Sequence, residues 1–481
     1  MSILEMTKDC TATRVGQTSQ REPVLGEVDG LEEDDYTDLS ASTDDRIANE
    51  LHRLSHADED YWAFRGRAAR GQSQGLTQYP AMMVPGMQAV LIKVVTGVDR
   101  RVTRVFDPFA GSGTTLVESM RLGLNYEGQD INPLAVLLCR TKAGPFHVHR
   151  LENIAKEVVE RASADRGSKI EAEFPGLNKW FCAVAINQLS RIRRAIRYVD
   201  HGWCRRVLWT GLAETVRLTS NSRTSTFKLH VRNKVDIESR NVNPLETFAT
   251  VVSDMTTRLN EEAEVLRESR RLTTNGYYRG DLEIRLCDST KLRPGARLQD
   301  LLITSPPYGD NTTTVPYGQY SYLPLQWIDL EDIDEGAHAC CLRTTHEIDT
   351  QSLGGLRRKA VQEAKHLLEI SPSLKHTLSR LEAFPPDRGK RVAAFCRDLD
   401  RALRSAVAVL RSGAYLIWTI GNRRVGGEPI PTDAILEELL VAKGCRPVTK
   451  LERKIPSKRM ATRNSIANTM RAEAILVFRK A

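Results

Sequence analysis

Two short runs of residues hold the chemically most informative side chains of this chain. One is Thr304-Ser305-Pro306-Pro307-Tyr308, which directly follows an apolar stretch. Proline fixes φ, so this run predicts a rigid turn with a hydroxyl group and an exposed aromatic ring. The other is Asp107-Pro108-Phe109-Ala110-Gly111-Ser112-Gly113-Thr114-Thr115, after the apolar strand 102–106. Its glycines lack Cβ atoms and tolerate positive φ, which favours a turn that lies close to a nucleotide-like cofactor.

A carboxylate follows the glycine turn at a spacing that has chemical meaning. Asp130 lies nineteen residues after Gly111, at the predicted end of the next strand. An acid in that place can accept hydrogen bonds from ribose hydroxyls. A turn of this kind with a later acid is a weak signal by itself, and Leu116 stands where a dinucleotide-binding turn has its third glycine.

Taken together, the two runs resemble motifs I and IV of the DNA amino-methyltransferases. These enzymes move a methyl group from S-adenosylmethionine to the exocyclic nitrogen of cytosine or adenine. The segment Thr77–Met83 resembles motif X, which contacts the methionine end of the cofactor. Asp107 would hold the glycine loop or face the methionine portion, and Asp288 would lie near the adenine. The resemblance implies a cofactor site made by Tyr79, Pro80, Asp107, Phe109, Gly111, Gly113, Thr114, Asp130 and Asp288.

The resemblance also assigns the catalytic turn, which consists of Ser305, Pro306, Pro307 and Tyr308. An exocyclic amine has its lone pair delocalised into the ring, so acceptors must be placed around its hydrogens. The Ser305 side chain and the Pro306 carbonyl would be those acceptors, and the prolines would stiffen the turn. Tyr308 would stack on a base flipped out of the duplex.

Several products remain open at this stage. Ser in the first position of motif IV is more typical of N4-cytosine enzymes, whereas Asp is typical of N6-adenine enzymes. The chain has no Pro-Cys dipeptide, which disfavours covalent attack on cytosine C5. We expect N4-methylcytosine, with N6-methyladenine as the alternative. An RNA guanine-N2 methyltransferase and a catalytically silent binding module are the other hypotheses.

The elements that must position these residues alternate between strand and helix. Apolar runs predict strands near residues 102–106, 282–286, 301–304, 414–420, 448–453 and 474–478, and a further strand that runs to residue 129, with helices between many of them. This alternation is typical of a parallel sheet covered on both faces. The predicted fold is therefore α/β, a doubly wound, mostly parallel seven-stranded sheet like that of class I methyltransferases, with two largely helical insertions.

The predicted domain organisation has four parts. Residues 1–60 are an acidic, disordered leader, with its peak at Glu32-Glu33-Asp34-Asp35. Residues 61–145 and 281–481 form the catalytic core. Residues 146–280 are an Arg-rich insertion and the favoured target-recognition region, through a loop near Ser220–Arg223. Residues 309–390 are a second insertion, in which Asn311, Tyr317 and Tyr320 suit contacts with the flipped base.

Composition and charge complete these expectations. The net charge of +8 includes an Arg cluster at Arg191, Arg193, Arg194 and Arg197, which suits a polyanion such as double-stranded DNA. The nine cysteines show no metal-binding spacing, so we expect reduced thiols and no metal. No apolar run is long enough for a membrane span. We expect a cytoplasmic, nucleoid-associated monomer, with a cognate restriction endonuclease as a further partner to test.

Overall fold

The apolar runs of the sequence form strands of one central sheet. The computed structural model describes residues 41–64, 72–293, 295–310, 314–455 and 470–481, and Thr43–Ala481 forms one compact unit. Within those residues the strands are Arg104–Asp107 (β1), Asn125–Asp130 (β2), Leu282–Leu286 (β3), Gln299–Thr304 (β4), Leu410–Ile420 (β5), Arg423–Val425 (β6), Glu428–Ile430 (β7), Cys445–Lys454 (β8) and Ala472–Lys480 (β9).

Seven of these strands pair in the order β3-β2-β1-β4-β5-β9-β8. The first five are parallel to one another. Strand β9 lies antiparallel between β5 and β8, and β6 and β7 form a separate hairpin. The predicted fold class is confirmed: the sheet is mostly parallel, has seven strands and includes a reversed last strand.

Helices connect and cover the strands. Several begin at a proline, whose fixed φ suits the first helical position. The α-helices of the described residues are Thr43–Ala57 (α1), Pro85–Val98 (α2), Thr114–Leu122 (α3), Pro133–Lys142 (α4), Val148–Ala164 (α5), Leu177–Trp180 (α6), Ala183–Arg197 (α7), Gly202–Thr219 (α8), Lys234–Ser239 (α9), Pro244–Glu268 (α10), Tyr317–Leu325 (α11), Glu347–Gln351 (α12), Ala360–Glu363 (α13), Leu367–Ile370 (α14), Pro372–Leu381 (α15), Pro386–Ala408 (α16) and Thr432–Val441 (α17).

Both faces of the sheet are buried. Successive side chains of a strand point to opposite faces, and in β4 Leu301 and Ile303 pack into one apolar core while Leu302 packs into another. The first core includes residues of the helices α2 to α8 and of α10, and the second includes residues of α16 and α17. The strand ends are therefore the part of the sheet left open to a ligand.

One expectation about the leader is wrong. Residues 1–40, including the acidic peak, lie outside the described residues, but Thr43–Ala57 is a helix and not part of a disordered segment. Ile47, Leu51 and Leu54 follow one another at helical spacing, and all three are buried in the core. This apolar stripe packs against the core and stabilises the helix, although the surrounding sequence is acidic.

The Arg cluster of α7 also differs from its expected role. Arg193 and Arg197 both form ion pairs with Asp329, and Arg194 forms one with Asp165. Arg191 donates to the main-chain oxygen of Ala162 at 3.0 Å. Their positive charges are largely used to hold α7 against its neighbours, so this cluster is not the free basic face that the sequence suggests.

The described residues also bear on the metal and membrane expectations. Among them, no group of three or more His, Cys, Asp or Glu side chains could hold a metal ion. The eight cysteines in the described parts of the chain are free thiols. None of the described helices combines the length and the apolar character needed to cross a membrane.

Candidate active site

The glycine turn connects β1 to α3 at the open end of the sheet. Gly111 has a φ of +53° and lines a cavity. Gly113 has a φ of +78° and precedes α3, but a Cβ there would lie 3.1 Å from the Cys139 sulfur. Gly111 therefore faces the cavity, whereas Gly113 allows the turn to pack on α4.

Asp130 stands beside this turn at the end of β2. The Gly111 amide donates to its Oδ2 at 2.9 Å, and the Asn132 amide donates to its Oδ1 at 2.8 Å. Burial raises the pKa of Asp130 to about 6, although these amides favour the ionised form. The carboxylate lines the cavity, and each of its oxygens keeps a lone pair for a further donor.

Asp107 has a different position from the other predicted acids. It is fully buried, accepts a hydrogen bond from the Thr304 hydroxyl at 2.5 Å, and accepts another from the Phe109 amide at 3.1 Å. Burial raises its pKa to about 6. Because Asp107 is not among the residues that line the cavity, its geometry supports the loop-holding alternative and not contact with the methionine portion.

Most of the other predicted cofactor residues surround the same cavity. Asp288 accepts hydrogen bonds from the amide and hydroxyl of Thr290 through Oδ1. The Tyr79 hydroxyl accepts a hydrogen bond from the Asn132 side chain at 3.0 Å, and burial raises the Tyr79 pKa well above its usual value. The predicted residues that line the cavity are Tyr79, Pro80, Phe109, Gly111, Thr114, Asp130, Asp288, Ser305 and Pro307.

The proline turn meets the cavity through Ser305 and Pro307. Pro306 is buried, and neither Pro306 nor Tyr308 is among the lining residues. The Tyr308 ring packs against Gly421, where an added Cβ would come within 2.9 Å of it. Its hydroxyl lies 3.1 Å from the Ser305 hydroxyl and donates to Glu473 at 3.0 Å. Burial and the nearby Glu473 carboxylate raise the Tyr308 pKa well above its usual value.

Sequence reasoning missed part of the wall. Four residues in α12 and directly after it line the cavity, and no motif in the sequence marks them: Ile348, Gln351, Ser352 and Leu353. Asn132 also lines it and caps α4 by accepting from the Leu134 amide. The Asn-Pro pair that begins this helix was a signal for the cap but not for the cavity.

The second insertion contributes tyrosines to this region. Tyr317 lines the cavity, and its ring centroid lies 5.8 Å from that of Tyr79. Tyr320 is buried, its ring centroid lies 5.8 Å from that of Tyr79 in an edge-on arrangement, and its hydroxyl donates to the Gln78 carbonyl. Asn311 lies outside the described residues. Tyr317 is thus part of the cavity wall, and Tyr320 supports the Tyr79 segment.

The chemical character of the wall fits S-adenosylmethionine. Asp130 and Asp288 are acceptors suited to ribose hydroxyls and to an ammonium group. Phe109 and Tyr79 offer aromatic surface for an adenine ring and for a sulfonium cation. Gly111 adopts a left-handed conformation and brings main chain, not side chain, to the wall.

Comparison with known proteins agrees with this geometry. The chain is 29% identical over 455 residues to the type II methyltransferase M.MvaI of Kocuria varians, covering 91% of this chain and 97% of that protein. A shorter match, 37% identical over 57 residues, covers 12% of this chain and 11% of the type II methyltransferase M.MjaII of Methanocaldococcus jannaschii. No family model matches the chain. The resemblance to DNA methyltransferases that was drawn from the two motifs is confirmed by the long match and by the fold. The match and the fold imply S-adenosylmethionine as the methyl donor.

Proposed function

We propose that this protein is a site-specific DNA methyltransferase of a restriction-modification system, and that it methylates the exocyclic N4 of cytosine in double-stranded DNA. The observation that carries the proposal is the shared cavity. Ser305 and Pro307 line the same cavity as Gly111 and Asp130. A base whose amine reaches Ser305 would therefore lie next to the methyl donor, as direct transfer requires.

The walls of the cavity suggest a role for each group of residues in holding the cofactor. Asp130 would accept from the ribose hydroxyls, with Asp288 near the adenine and Tyr79 and Pro80 near the methionine portion. Thr114 and the main chain of Gly111 would complete the turn around it. When bound, S-adenosylmethionine supplies an electrophilic methyl group on a sulfonium.

The residues of the proline turn would act on the amine. Ser305 and the Pro306 carbonyl would accept from its two hydrogens, which makes the nitrogen lone pair more available to the methyl group. Tyr308 would offer part of its ring to the flipped base. Among the described residues that line the cavity there is no cysteine, which supports direct transfer without a covalent enzyme intermediate.

A loop beside α11 is the surface that we propose contacts DNA. Residues 220–232 form a narrow loop, closed by hydrogen bonds between main-chain groups of Arg223 and His230 and of Arg232 and Asn221. Its Phe227 ring lies 5.7 Å from the ring of Tyr320 in α11, the helix that brings Tyr317 to the cavity. The loop is therefore attached to the outer side of the cavity wall.

The charges of this loop suit a phosphate backbone. Arg223 and Lys228 are exposed, and their side chains form no ion pair or hydrogen bond with any described part of the chain. Phe227 is 37% exposed and is available to pack on a sugar or base. Free cations beside an exposed ring are the combination that nucleic-acid surfaces use.

Identifying the methylated nucleoside tests the proposed function. Purified protein is incubated with labelled S-adenosylmethionine and double-stranded DNA, and the DNA is then digested and analysed by mass spectrometry. We expect N4-methylcytosine as the product. The Ser305→Ala variant, purified and assayed in the same way, is the inactive control. N6-methyladenine would correct the base and keep the mechanism. A 5-methylcytosine product, or methylation of RNA alone, would contradict the proposal.

Asp130→Ala should weaken S-adenosylmethionine binding by about 1.5–3 kcal/mol, the scale of a hydrogen bond to a charged group. Because ribose donors favour the ionised carboxylate, wild-type affinity should fall as pH drops through about 6, and the variant should respond less to pH. Titration calorimetry between pH 5 and 7.5 measures both. The matched control is Asp281→Ala, because Asp281 is an exposed acid directly before the first residue of β3, at the opposite end of that strand from the cavity. An affinity unchanged in Asp130→Ala would remove this residue from the site.

Replacing Arg223 and Lys228 together by Ala should weaken DNA binding and reduce its salt dependence. The slope of log affinity against log salt should fall by about one unit for each lost phosphate contact. The control is Arg191→Ala with Arg194→Ala, which removes two charges that the fold already uses. If the control changes the salt slope and the loop variant does not, DNA lies on α7 and this surface is wrong.

A further inference from the structure

Tyr308 is connected to a pair of charged residues on the antiparallel strands β8 and β9. Its hydroxyl donates to Oε1 of Glu473 on β9 at 3.0 Å. The other oxygen of Glu473 pairs with Arg453, which lies directly opposite it on β8. Arg453 is 8% exposed and donates through Nε to the main-chain oxygen of Trp62 at 3.1 Å. Arg453 therefore fixes one oxygen of Glu473, while the other oxygen contacts Tyr308 of the proline turn.

The order of donors in this chain of contacts follows from hydrogen counting. A carboxylate paired with arginine has no hydrogen to give, so the Tyr308 hydroxyl must donate to Glu473. A tyrosine hydroxyl carries one hydrogen. The contact of 3.1 Å between Ser305 and Tyr308 must then have Ser305 as the donor. The Ser305 oxygen is left with only lone pairs for anything in the cavity.

We propose that Glu473, held by Arg453, is a positioning residue for methyl transfer. It directs the hydroxyl hydrogens of Tyr308 and Ser305 away from the cavity, so that Ser305 can only accept from the amine of the base. A Ser305 hydrogen turned toward the amine would compete for the nitrogen lone pair that must attack the methyl group. The inference rests on the proposed function, and it requires no proton to move along the contacts.

Glu473→Gln tests this arrangement with little change of shape. The amide can donate to the Tyr308 oxygen, which lets Tyr308 donate to Ser305 and frees the Ser305 hydrogen. The single-turnover rate of DNA methylation should fall about tenfold or more, the size of one hydrogen bond to a charged group. Dissociation constants for S-adenosylmethionine and DNA should stay within about twofold.

A second background separates positioning from a structural effect. In Tyr308→Phe the link to Ser305 is broken, so adding Glu473→Gln should cause no further loss of rate. The matched control is Asp433→Asn, a carboxylate 14% exposed that pairs with Lys450 of β8 at 2.6 Å and should leave the rate unchanged. Thermal unfolding of each variant checks that the fold is kept.

Three results would contradict the inference. A wild-type rate in Glu473→Gln overturns it directly. A slowing by Glu473→Gln that is equally large in the Tyr308→Phe background also overturns it, because the residue would then act on the fold and not through Tyr308. With an active wild type, each of these two results overturns the inference and leaves the proposed function standing. The third result is a wild-type protein that methylates no base in DNA, which overturns the inference and the proposed function together.

Discussion

The parallel pairing of β1 with β4 is the constraint on which the site depends. Val105 pairs with Leu301 and Phe106 with Leu302, so the two strands end side by side although they are far apart in sequence. The Thr304 hydroxyl then donates to Asp107 at 2.5 Å and joins the two loops at their bases. The chain leaves β1 toward β2 and leaves β4 toward β5, and crevices form where connections diverge in this way.

Burial of carboxylates around this crevice lowers the free energy of unfolding at neutral pH. The pKa values of Asp107, Asp130 and Asp349 are each raised to about 6 by burial. A raised pKa means that the folded protein binds protons more readily than the unfolded chain, so these groups reduce stability as pH rises from about 4 to about 6. Asp349 offsets part of this cost because it accepts from the Gly318 amide at the start of α11.

The parts of the molecule that the sequence predicts are those governed by local pattern. Apolar runs, glycines and prolines predict the strands, the turns and the cavity position of Gly111 and Asp130. The α12 wall depends on long-range packing that no motif encodes. The contact between Glu473 and Tyr308 depends on the register of β8 and β9. The Arg cluster of α7 misleads because a sequence does not reveal that Asp329 lies opposite it.

We propose above all that one cavity joins the methyl donor to the proline turn. The structure of the protein with bound S-adenosylhomocysteine tests it most directly. We expect the ribose hydroxyls about 3 Å from the Asp130 carboxylate, with the thioether sulfur on the side of Ser305 and Pro307. Adenosine bound away from Asp130, or a sulfur that points away from Ser305, would contradict it.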